Sequence, residues 1–308
     1  MLVNVIAYRG HVPFFLILAG YFLARRVTWR KAFDRILWLL IPFLAWNILY
    51  YLYHNFHAQP FENILADMPS IVGFGAVFSK DFTCFGLEAC QPEIGVSWFL
   101  RDIIVLSLFT PLIVRIRYIA LIFVAISCAY EASSQYDVLA DCNVLLSPGV
   151  CFFYVLGVCL VDFRIEDAHR VLNKKFTPYV VIGVAVAVAA CFYASEHGCA
   201  TVPVTFVGAL FGAMMIAQCG VLIEKHLAKL SHRLVPCGPA CFLVFMLHEP
   251  VIIWCMWLLP EWFKNSWLVW LYPFVVCAAI IAFFLLMKRY TPWLMPYLGH
   301  MKVPKKQG

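Results

Sequence analysis

The sequence predicts an all-α fold: one polytopic transmembrane helix bundle of about nine helices, spanning residues 1–308 as a single domain. Three observations predict it. Apolar residues make up 64% of the chain and charged residues 13%, against roughly 45–50% and about 25% in soluble domains. With a mean hydropathy of +0.85, so much apolar surface needs lipid as part of its solvent. The apolar residues also run continuously rather than in alternation, which favours helices over a barrel. Finally, the charges between the runs separate by sign. A soluble enzyme, a disordered chain and a secreted disulfide scaffold are excluded.

The first apolar segment, 2–24, contains Arg9 and His11 and runs into Arg25-Arg26 without a small-residue cleavage site, so it reads as a span and not a signal peptide. Segment 36–53 follows a basic loop and contains Asn47; segment 97–114 opens on Trp98 and contains Arg101 and Asp102. Segment 118–130 is the shortest and needs its flanks or a thinned bilayer. Segments 143–161 and 178–194 follow, then 202–222 with Gln218, 240–259 with His248, Glu249 and Pro250, and 266–287. Most of the thirteen cysteines lie in these runs, where a thiol acts as a small hydrophobe. No CxxC or Cys/His zinc spacing is present, so no metal is expected.

Alternate crossing puts loops 25–35, 115–117, 162–177, 223–239 and the tail 288–308 on one side, with 19 of the 23 basic residues. The other side, with the one sizeable loop 54–96, has only Lys80 and Lys264 as basic residues. The positive-inside rule then makes the C-terminus cytoplasmic and the N-terminus external. The net charge of +6 follows from topology and contact with membrane lipids, and no nucleic-acid partner is expected. Cys84 and Cys90 share the outer loop, where an oxidising compartment would allow them to pair.

Charges within spans are costly and mark functional candidates. Arg101, one turn inside its span after Trp98, either snorkels to the interface or faces a polar cavity. Asp102 points about 100° away from it and needs a separate environment. His248 and Glu249 lie near mid-depth, and Pro250 frees a carbonyl in the preceding turn. They fit a water-filled or ligand-filled cavity, or a buried histidine hydrogen-bonded to a neighbouring helix. Arg9 and His11 face either a cavity or the outer interface. The cluster Arg25, Arg26, Arg30, Lys31 and Arg35 fixes topology against anionic lipid or forms a phosphate site.

Four segments together carry a resemblance. Val12-Pro13-Phe14-Phe15, continuing to Ala19-Gly20-Tyr21-Phe22-Leu23, resembles the VPxFFxxSGYFL signature of the membrane-bound acyltransferase family 3. Arg35-Ile36-Leu37 leading to Ile41-Pro42-Phe43-Leu44, Ser97-Trp98-Phe99-Leu100-Arg101, and Phe242 to His248-Glu249-Pro250 are similar to later motifs of that family, in the same order. The resemblance implies an integral-membrane O-acyltransferase of the plasma (bacterial inner) membrane. Its donor would be acyl-CoA, commonly acetyl-CoA, used as a substrate with no permanently bound cofactor. Its acceptor would be a hydroxyl of a carbohydrate or lipid-linked glycan of the cell envelope.

On this resemblance His248 and Arg101 are the catalytic candidates, Arg25, Arg26, Arg30 and Arg35 bind the donor, and Arg9, Asp102 and Glu249 line the substrate cavity. Arg35 is in register with the second arginine of the family's RxxR motif; Ala32 stands at the first, with Arg30 or Lys31 as substitutes. The family carries a further helix with an Arg and a His before the VPxFF segment, whereas Met1 here lies eleven residues before Val12. The expectation is a chain one helix short, or a divergent or inactive member. A polysaccharide or small-molecule transporter using the same polar residues is the other reading, although no internal repeat at half length is visible.

Overall fold

The computed structural model describes residues 9–25, 27–55, 82–83, 86–88, 98–133, 144–163, 178–183, 185–186, 189, 202–260 and 271–295. The architecture is all-α. In chain order the helices are α1 (Arg9–Ala24), α2 (Trp29–Asn55), α3 (Trp98–Ile113), α4 (Arg117–Ser133), α5 (Pro148–Cys159), α6 (Val202–His226), α7 (Ala228–Leu234), α8 (Cys241–Leu258) and α9 (Tyr272–Tyr290). Residues 178–183 are also helical. A small antiparallel ribbon joins β1 (Phe82–Thr83), β2 (Gly86–Glu88) and β3 (Val144–Leu145), in that order.

Each predicted apolar segment thus carries helical residues, but several boundaries differ. The basic stretch 25–35 is not all loop. The side chain of Thr28 accepts a bond from the backbone N–H of Lys31 at 3.3 Å, capping α2, so Arg30, Lys31 and Arg35 lie in its first two turns. The segment predicted from 143 starts its helix at Pro148, whose fixed φ suits a first helical position. Before it, Val144–Leu145 pair as a strand and Leu146 has a φ of 58°. The weak segment 118–130 lengthens to a 17-residue helix by recruiting its flanks. The pair Cys84 and Cys90 lies outside the described residues.

Among the described residues, three helices are both long and apolar enough to cross a membrane: Trp29–Leu52, Phe206–His226 and Tyr272–Tyr290. Val12–Ala24, Arg117–Ala129 and Pro148–Asp162 are shorter apolar helices. Their outer faces are apolar as well. Ile119, Ile122, Phe123 and Ile126 form an exposed i, i+3, i+4, i+7 stripe on α4, which is stable only against lipid.

The chain divides into two compact units. The first comprises Met1–Asp34, Ser79–Ala89 and Asp102–Ser231. Here α1 packs on α5 and α6, and α4 packs on α5. The crossing of α1 and α5 is set by two glycines. A Cβ at Gly20 would stand 2.1 Å from the Tyr154 carbonyl oxygen, and one at Gly157 would stand 2.1 Å from that of Ile17. Small residues allow such close approach between apolar helices, where dispersion does the holding. Phe152 and Phe153 on α5 flank Phe206 of α6, with centroids 4.6 and 5.1 Å away. The buried Tyr154 hydroxyl lies 2.6 Å from Thr110 Oγ1. Thr110 directs its own proton to the Leu106 carbonyl at 2.8 Å, so Tyr154 donates to Thr110.

The second unit comprises Arg35–Phe78, Cys90–Arg101 and His232–Gly308. Its core is Ala240 and Leu243 at the start of α8 against Val276, Ile280 and Phe284 on α9, closed by Met295, with Trp46 of α2 packed on it. On α2, the i, i+4, i+8 series Phe43, Asn47 and Tyr51 is buried, whereas Leu37 and Ile41 are exposed.

Candidate active site

The strongest chemistry lies in the second unit, on α8. His248 is half-buried near the middle of that helix, roughly 10 Å from its start. Its Nδ1 lies 3.0 Å from the carbonyl oxygen of Val244 and 2.8 Å from that of Phe245. A carbonyl can only accept, so Nδ1 carries the proton and shares it between the two oxygens. In the neutral ring the lone pair then sits on Nε2, the arrangement a general base requires. Pro250 supplies no N–H to the Met246 carbonyl one turn before it.

Arg101 belongs to the same unit and is fully buried, at 0% exposure. A snorkelling arginine would leave its head accessible; this one is enclosed by protein. Phe99 and Leu100 just before it are buried as well, whereas Trp98 is half-buried. Two residues before Arg101, the Phe99 ring packs against Phe245 in a tilted pair with centroids 5.1 Å apart. The Phe245 ring in turn lies 6.3 Å from the imidazole of His248. Two segments 146 positions apart in sequence (Phe99 and Phe245) therefore meet through one aromatic pair.

The other candidates are distributed differently. Asp102 is buried and belongs to the first unit. Arg25 is exposed at the end of α1 and Arg30 is exposed in the first turn of α2, while Arg35 is half-buried. Ala32, at the place of the first arginine of the RxxR pattern, is buried, and the adjacent Arg30 and Lys31 face outward. Arg26 lies outside the described residues; Arg9, His11 and Glu249 have described helical backbone only, their side chains lying outside.

Among the uncharged polar residues, Asn47 donates from Nδ2 to the Phe43 carbonyl at 2.8 Å. Ser107 and Ser127 likewise bond to carbonyls four residues back, the usual way a hydroxyl is satisfied inside an apolar helix. Trp46 is a residue that sequence reasoning missed. Its indole Nε1 is buried and has no hydrogen-bond acceptor among the described residues. Read as one more apolar aromatic, it gave no signal beyond its neighbour Asn47. Among the described residues no group of three His, Cys, Asp or Glu side chains is placed to hold a metal.

No curated protein and no solved structure matches the chain. A family model described as an acyltransferase domain matches residues 1–289. With helices this apolar, the match describes an integral membrane protein and an acyltransferase enzyme. The chain belongs to the membrane acyltransferase family 3.

Proposed function

We propose that the protein transfers an acyl group, commonly acetyl, from acyl-CoA to a hydroxyl of a carbohydrate or lipid-linked glycan of the cell envelope. The observation that carries this reading is the fixed tautomer of His248, whose Nδ1 is held by the Val244 and Phe245 carbonyls. Nε2 takes the proton of the acceptor hydroxyl as its oxygen attacks the thioester carbonyl carbon. The C–S bond then breaks, and the leaving thiolate recovers the proton from the imidazolium. A positioned base of this kind contributes roughly 10²–10⁴-fold to rate.

Arg101 acts as a fixed positive charge in the same unit, stabilising the oxyanion of the tetrahedral intermediate. Arg25 and Arg30, both exposed in the first unit, receive phosphates of the donor. The protein sits in the plasma membrane with its C-terminus and donor side in the cytoplasm. The sidedness is supported by the loop charges and by the basic last turns of α6 (Lys225, His226) and α9 (Lys288, Arg289). The test is transfer of labelled acetyl from acetyl-CoA to envelope glycan in membranes bearing the wild-type chain or Arg101→Gln. Loss of transfer with normal insertion supports the role of Arg101, and full transfer removes it.

A further inference from the structure

In the first unit, three chain ends share one edge, and bonds fix them there. Tyr21, in the last turn of α1, donates to the carbonyl of Phe163 just beyond α5 at 3.0 Å. The preceding residue, Asp162, accepts a hydrogen bond from the guanidinium of Arg117 at the start of α4. Cys159 Sγ lies 3.5 Å from the Arg117 carbonyl, tying the same two elements again. The end of α1, the end of α5 and the α3–α4 turn are therefore neighbours.

Two arginines lie in or beside that turn, and they are not equivalent. Arg117 is engaged by Asp162 and lies 4.9 Å from the centroid of the Tyr118 ring. Arg115, two residues earlier, is exposed. Arg25 directly follows α1 at the same edge and is exposed, as is Arg30 five residues later. Over residues 25–34 the chain has four basic residues, Arg25, Arg26, Arg30 and Lys31, and one acid, Asp34. The Asp162 bond thus cancels one charge of the edge and pins the turn, leaving Arg115 exposed in the turn that shares this edge with the end of α1.

We propose that Arg115 binds phosphate oxygens together with Arg25 and Arg30, as the third corner of a cationic rim on the first unit. The planar guanidinium fork matches two phosphate oxygens at once, which a lysine does not. The ligand class is a phosphate ester or pyrophosphate. On the acyl-CoA reading above, on which this identification rests, it is the donor's nucleotide; the same chemistry is offered by an anionic phospholipid headgroup.

The full chain in nanodiscs separates the two sources. Calorimetry measures adenosine 3′,5′-bisphosphate binding in phosphatidylcholine discs. Native mass spectrometry counts retained phosphatidylglycerol in mixed discs. Each is run for wild type, Arg115→Ala and Arg115→Lys. A roughly tenfold weaker nucleotide affinity in Arg115→Ala, partly recovered in Arg115→Lys, supports the rim with the donor as ligand. Loss of phosphatidylglycerol in Arg115→Ala, with no nucleotide binding even by wild type, supports the rim with the headgroup as ligand and removes the acyl-CoA reading. Arg115→Ala behaving as wild type in both measurements overturns the rim.

Discussion

Phe99 and Phe245 pack with ring centroids 5.1 Å apart and planes tilted by 56°, and this contact joins the buried Arg101 segment to the helix of His248. The pair also gives the carbonyl of Phe245 a fixed position, and that carbonyl orients His248. Truncation of Phe245 to Ala is expected to cost about 1–3 kcal/mol, since the ring is half-buried. Thermal unfolding in detergent checks it: the midpoint falls and acyl transfer falls with it, whereas Phe245→Leu retains most of both. An unchanged midpoint in Phe245→Ala would show that the ring pair carries no structural weight.

The α1–α5 crossing gives a sharper steric prediction. Gly20→Val and Gly157→Ala each place carbon atoms against a backbone carbonyl that lies only 2.1 Å from an added Cβ, and backbone yields poorly. Both variants are expected to lower the folded yield and the unfolding midpoint. Gly220→Ala in α6 is the control, because nothing lies within 4 Å of its added Cβ; it should be neutral or stabilising by up to about 1 kcal/mol. Equal behaviour of all three would show that the α1–α5 crossing is not limited by these glycines.

The buried bond between Tyr154 and Thr110 links α5 to α3. Tyr154→Phe and Thr110→Val should each cost about 1 kcal/mol, in the range measured for bonds between membrane helices. Because both delete the same bond, the double variant should cost less than their sum. A double-mutant cycle read by chemical denaturation decides it, with strict additivity as the contrary result.

The placement of helices was largely legible, because lipid penalises every unsatisfied backbone group and so ties apolar runs to helices. Segments 202–222 and 240–259 appear as α6 and α8 with small changes at their ends. Boundaries failed where local chemistry overrode hydropathy. Thr28 capped α2 ahead of its apolar run, and Pro148 started α5 five residues late. Arg101 was visible as a costly charge, but whether it snorkels depends on what surrounds the first turn of α3, which no single-segment pattern contains. The pairing of Gly20 with α5, and of Phe99 with Phe245, depends on partners distant in sequence. Trp46 was invisible for another reason: only a packed structure reveals that its indole N–H is enclosed with no acceptor among the described residues.

On the proposed function, Nε2 of His248 is the base for acyl transfer, held ready by the bonds of Nδ1 to the Val244 and Phe245 carbonyls. His248→Asn tests it most directly, because the amide NH₂ of Asn can keep the Nδ1 donation while supplying no base. Membranes bearing this variant at wild-type levels should retain the wild-type unfolding midpoint and lose roughly 10²–10⁴-fold in acetyl transfer to glycan. Transfer at the wild-type rate by a folded His248→Asn protein would show that His248 is not the base.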